Sequence, residues 1–83
     1  MKLEWRSFKQ EGFIMTYILR TVKDYNTGSY VKIYEYSNGC CIYFRNCYTN
    51  GEKYYKVCDD IKEAKKSGSK LLKAMIRFNK QIT

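Results

Sequence analysis

The chain has 83 residues, with 16 Lys and Arg against eight Asp and Glu, a formal charge of +8 and neither His nor Pro. So short a chain cannot build two hydrophobic cores, and one domain spanning 1–83 is expected. Without His the usual general base, the commonest metal ligand and the physiological pH switch are all missing, so no enzyme and no cofactor are expected.

The opening Met1-Lys2-Leu3-Glu4-Trp5-Arg6 leads into no apolar leader-like run. This predicts a cytoplasmic protein in a reducing compartment. Leu3 to Phe8 is a candidate extra strand. The longest apolar-leaning run, Phe13 to Leu19, is interrupted by Thr16 and falls far short of the ~20 residues that span a bilayer, so no membrane partner is expected. A strand over about 13–24 then meets a turn at Tyr25-Asn26-Thr27-Gly28, and a second strand covers 29–37. Asn38-Gly39 and Asn50-Gly51 each sit between β-rich runs, the strongest short hairpin signal because both residue types tolerate positive φ. They delimit strands at 40–49 and 52–58.

After Cys58 the apolar period lengthens. Asp60-Ile61-Lys62-Glu63 fits a capping box, and Ile61, Ala64, Gly68, Leu71, Met75 and Phe78 recur every three to four residues, so a helix is predicted over about 60–79. Ser67-Gly68-Ser69 either weakens it, at a cost of about 1 kcal/mol for Gly relative to Ala, or marks a close approach to the sheet. The fold class is therefore α+β: a four-stranded antiparallel meander, five-stranded if Leu3 to Phe8 joins, with one C-terminal amphipathic helix on one face.

Two-residue loops at Asn38-Gly39 and Asn50-Gly51 would pair Ser37 with Cys40, Ile33 with Phe44, Tyr34 with Tyr43, Lys32 with Arg45, Phe44 with Val57, Arg45 with Lys56, Cys47 with Tyr54 and Tyr43 with Cys58. One face then collects Val31, Ile33, Ile42, Phe44, Tyr55 and Val57 and seats the helix. The other collects Tyr30, Lys32, Tyr34, Tyr36, Cys41, Tyr43, Arg45, Cys47, Tyr54, Lys56 and Cys58 and is expected to be open. Aromatic rings interleaved with cations suit single-stranded nucleic acid, where rings stack on bases and cations hold phosphates. They also suit a protein interface, or a homodimer through the Tyr-rich face. On the helix, Lys62, Lys65, Lys66, Lys70, Lys73, Arg77 and Lys80 fall within an arc of roughly 140° at ~100° per residue, and no acidic residue follows Ala64. Such a single-sign stripe resembles an electrostatic footprint. The candidate contact residues are thus Tyr30, Lys32, Tyr34, Tyr36, Tyr43, Arg45, Tyr54 and Lys56 on the sheet, with Lys62, Lys66, Lys73 and Arg77 on the helix.

The four Cys, at 40, 41, 47 and 58, form no CxxC pair, and no metal site is expected. Cys41 and Cys58 would be diagonal neighbours with Cα atoms about 7 to 8 Å apart, outside disulfide range. In strand order and following helix, Tyr30 to Lys73 resembles the arm-site DNA-binding domains of conjugative-transposon integrases, which implies a sheet face applied to DNA. The abundance of Lys, Tyr, Ile and Asn suits an A/T-rich genome. As a lone basic domain the chain is also similar to small phage proteins that disable host nucleases, of anti-CRISPR or anti-restriction type. The expected partner is nucleic acid or a nucleoprotein, with a host protein bearing an acidic surface as the alternative.

Overall fold

The computed structural model describes residues 3–20, 28–46 and 51–82, with side chains described as far as Lys80. Five strands, β1 (Arg6–Phe8), β2 (Met15–Arg20), β3 (Tyr30–Tyr36), β4 (Gly39–Arg45) and β5 (Lys53–Cys58), precede one helix, α1 (Ile61–Ile82). The strands form a single antiparallel sheet in chain order, β1-β2-β3-β4-β5, so the fifth strand is present at Arg6–Phe8. The expected turn at 25–27, the last residues of the 13–24 strand, Cys47 and Asn50 lie outside the described residues.

The β3–β4 hairpin turns one residue earlier than expected. Tyr36 pairs with Gly39, leaving Ser37-Asn38 as the turn, and the ladder continues through Tyr34↔Cys41, Ile33↔Ile42, Lys32↔Tyr43 and Tyr30↔Arg45. The reason is conformational. A type I′ turn at Asn38-Gly39 needs positive φ at both residues, whereas here Gly39 alone takes it, at 145°. The slip moves each partner by two positions, so every side chain stays on its expected face.

The β4–β5 ladder differs in kind. Cys40, Cys41 and Ile42 pair with Cys58, Val57 and Lys56, then a β-bulge intervenes and Tyr43 and Phe44 pair with Tyr54 and Lys53. The expected pairs Phe44–Val57, Arg45–Lys56 and Tyr43–Cys58 are not formed. This displacement is odd in number, so it exchanges faces over the C-terminal half of β5. Cys58 turns into the helix-side core at 5% exposure, while Val57, expected there, is 58% exposed. Lys56 likewise lies opposite the buried Ile42 rather than among the tyrosines.

The core lies between sheet and helix. Leu19, Val31, Ile33, Cys40, Ile42 and Cys58 from the sheet meet Ala64, Leu72 and Met75 of α1, which packs chiefly over β3. Asp60 caps the helix by accepting a 2.7 Å bond from the Glu63 amide. The helix runs unbroken through Ser67-Gly68-Ser69, and the close-approach alternative holds there. A Cβ on Gly68 would meet Trp5 and Val31 at 3.0 Å each, and the Trp5 indole N–H donates to Ser69 Oγ at 3.3 Å. Leu72 is fully buried, whereas Phe78, expected on the apolar stripe, is 54% exposed.

Candidate nucleic-acid interface

A single helix covers one face of a sheet, so the opposite face was expected to lie open. It does not. The segment between β1 and β2 folds over it: Gln10 accepts from the Phe13 amide across a turn whose Gly12 takes φ 93°, and the Gln10 side chain accepts from Thr16 Oγ1 at 3.2 Å. Phe13 is thereby set against Tyr34 at 4.7 Å and Tyr36 at 5.2 Å. From the other side Glu52 reaches in, accepting 2.9 Å bonds from both Tyr30 Oη and Tyr34 Oη and pairing with Lys32 Nζ at 3.1 Å. Tyr30 and Tyr34 are consequently 7% and 9% exposed.

Electrostatics accompany this clasp. Burial pushes the Tyr34 phenol well above its ordinary value, and the hydrogen bond to Glu52 raises it further, so it stays a neutral donor. Burial also pulls Glu52 upward, yet the bonds from Tyr34, Tyr30 and Lys32 outweigh it and hold the carboxyl below its ordinary value. Tyr34, Tyr43 and Tyr54 continue the ring contacts edge-on, at 5.3 and 5.8 Å. Edge-on packing of this kind sets the edge of one ring against the face of the next. Of the sheet candidates, Tyr30, Lys32 and Tyr34 therefore serve the protein's own packing, Tyr43 and Arg45 are half-buried, and Tyr36 and Tyr54 are exposed at 37% and 56%. Lys56 has left the set, its Nζ lying 5.9 Å from the Tyr55 ring on the helix side.

The helix candidates are arranged differently. Lys62, Lys66, Lys73 and Arg77 are all exposed, together with Lys70 and Lys80. Lys65 departs from the stripe because its Nζ sits 4.7 Å from the Tyr17 ring. Without it the remaining cations occupy an arc of only about 80°, and every residue from 62 to 80 within that arc is Lys or Arg. The stripe extends about 27 Å along the helix at ~1.5 Å per residue. Its direction lies opposite Gly68, Leu72 and Met75, the buried line of α1, so core packing aims it outward.

Acidic groups gather as well. Glu35, Asp59 and Asp60 line a shallow depression between the β3–β4 turn and the start of α1, at the N-terminal end of the stripe. Cys40 and Cys58 are cross-strand partners in the core, and burial, first of all, pushes the Cys40 thiol up to about 11. Burial likewise raises the Cys58 thiol, so both are held in the neutral form at neutral pH. Among the described residues no group of His, Cys, Asp or Glu is disposed to hold a metal ion, and no helix is long and apolar enough to cross a membrane. Sequence reasoning missed Glu52; its only signal was a lone acid beside a Gly turn in a basic chain, which does not reveal three hydrogen-bonding partners. Comparison of the chain with protein-family models, with curated proteins and with solved structures finds no match in any of the three.

Proposed function

We propose that this is a non-catalytic nucleic-acid-binding protein that contacts the phosphate backbone through the exposed stripe of α1, with the sheet supporting the helix. The observation that carries this reading is the unbroken run of exposed cations, Lys62, Lys66, Lys70, Lys73, Arg77 and Lys80. A solubilising face normally mixes its signs, and after Glu63 no acid interrupts the helix. Duplex DNA presents one charge per ~1.7 Å of axis, so a cationic line ~27 Å long faces about 16 phosphates. Phosphate contacts carry no sequence information. Arg77 alone in the stripe has the planar fork that suits guanine, so binding is expected to be largely indifferent to sequence.

The experiment is fluorescence anisotropy of labelled duplex and single-stranded oligonucleotides at about 50 and 200 mM salt, where polyanion binding must weaken steeply. Duplex bound at least as well as single strand, with a steep salt slope, supports contact through the helix. A marked single-strand preference would return the site to Tyr36 and Tyr54 on the sheet. No binding at the lower salt would overturn the nucleic-acid reading and favour an acidic protein surface as the stripe's partner, as an inhibitor of a nuclease would require.

A further inference from the structure

The strand β5 lies at the end of the sheet order, and among the described residues only β4 pairs with it. It also carries much exposed apolar surface: Tyr54 is 56% exposed, Tyr55 43% and Val57 58%. The bulge gives this edge an unusual symmetry. Lys53, Lys56 and Cys58 lie opposite Phe44, Ile42 and Cys40 on the helix side, and Tyr55 joins them, its ring 6.3 Å from that of Phe44. Tyr54 and Val57 lie opposite Tyr43 and Cys41 on the other side. Along β5 the facing order is therefore helix side, far side, helix side, helix side, far side, helix side, which is the same from either end. A regular strand alternates strictly, so two copies paired antiparallel about a bond would set unlike faces together. The bulge removes that conflict.

We propose that β5 pairs antiparallel with β5 of a second copy, about a two-fold axis at the Tyr55–Lys56 bond, to form a weak symmetric dimer with both cationic helices on one side of a continuous sheet. In this register Tyr54 lies opposite the second copy's Val57 and the converse, gathering the most exposed apolar groups of the edge into one far-side cluster. Tyr55 lies opposite the second copy's Lys56, repeating between chains the 5.9 Å contact that Lys56 makes within one. Lys53 lies opposite Cys58, so no lysine directly opposes another. Moving the register by one residue in either direction sets far-side against helix-side residues. Lysines and bulges ordinarily discourage edge pairing, but here both lysines find uncharged partners and the bulge restores the symmetry.

Strands lie ~4.8 Å apart, so helices seated over β3 on either side of the axis would be about 24 Å apart. That exceeds the ~8 Å Debye length at physiological salt, which limits the repulsion between two copies of charge +8. A single strand pairing falls at the small end of specific interfaces, below ~1,200 Å² in all, so the dimer forms at high concentration. What the dimer is for rests on the polyanion reading, because one nucleic acid touching both stripes gains by effective concentration; whether it forms does not.

The test is sedimentation of the full chain without nucleic acid, up to about 1 mM and in about 0.2 M salt to screen repulsion. The mass is expected to rise from 10.0 kDa toward twice that value. Tyr54→Lys with Val57→Lys sets lysines opposite lysines at two exposed positions and is expected to weaken the dimer at least tenfold while far-UV circular dichroism is unchanged. A chain that stays at 10.0 kDa throughout, or a doubly substituted chain that dimerises like the parent, overturns the proposal. Neutralising the helix leaves this result unaltered if the dimer is correct, so failure of the polyanion reading is separately visible.

Discussion

Neutralising the middle of the stripe, with Lys66→Gln, Lys73→Gln and Arg77→Gln together, is expected to move stability and binding in opposite directions. Like charges three or four residues apart on a helix destabilise it by about 0.2–0.5 kcal/mol a pair. The three substitutions relieve Lys62–Lys66, Lys66–Lys70, Lys70–Lys73, Lys73–Arg77 and Arg77–Lys80, and forfeit one favourable Glu63–Lys66 pair. Gln matches Lys and Arg in helix propensity, and all three positions are exposed. The net gain is therefore about 1 kcal/mol at low salt, which for a domain of this size raises Tm by roughly 4–8 °C. If the whole stripe reaches phosphates, the slope of log K against log salt is about −5.4, a loss of about 10³ between 50 and 200 mM; half the stripe leaves about −2.7 and a loss of about 40-fold. Thermal melts and anisotropy titrations on the same samples check both. A substituted chain that binds with the parent's salt slope would refute the stripe as the contact surface, and a lowered Tm would show that these cations hold the fold.

Two further outcomes concern the scaffold. Glu52→Ala removes the acceptor of two buried phenols, each bond to a charged group contributing about 1.5–3 kcal/mol; because Glu52 is partly accessible to water, the low end, about 3 kcal/mol in all, is expected in urea unfolding at pH 7. Glu52→Gln should retain roughly half. Since the folded carboxyl is held below its ordinary value, the part of Glu52's contribution that depends on its charge is complete above pH ~4.5 and is lost as pH falls through the lowered value, so the stability gap between parent and Glu52→Ala should narrow in acid toward that between Glu52→Gln and Glu52→Ala. At Gly68 the ~1 kcal/mol helix-propensity gain of Ala is opposed by contacts at 3.0 Å to Trp5 and the fully buried Val31. Gly68→Ala should therefore destabilise on balance, and a raised Tm would refute the close-packing account.

The strand and helix sequence was legible because its signals were local. Asp60 caps α1 as its spacing predicts, the 3.6-residue period survives through Met75, and Gly39 and Gly51 supply positive φ where the chain turns. Gly68 was ambiguous because propensity and packing point in opposite directions, and only the position of Trp5, more than sixty residues away in sequence, decides between them. The turn at Ser37-Asn38 shows how little a local error can matter. Displacing β4 by two residues against β3 keeps every face, so Tyr30, Tyr34 and Tyr43 share the side predicted for them.

The bulge in β5 shows the opposite. A turn signal fixes only where two strands reverse, and one extra residue further along inverts everything beyond it. Val57 and Cys58 exchange environments for that reason, and Lys56 leaves the tyrosine face with them. No residue type at Tyr55 announces a bulge, so the inversion had no local signature. Burial of the far face was equally hidden, because it depends on Phe13 and Glu52 arriving from segments remote in sequence. A helix stripe carries no such liability. Its residues are placed by one hydrogen-bonded period, and a single buried line through Gly68, Leu72 and Met75 sets their direction. Cations on α1 could therefore be located from sequence to within one side chain, Lys65, which the Tyr17 ring draws aside. The same rigidity favours the helix as the contact surface, because its charges are held in line before any partner arrives.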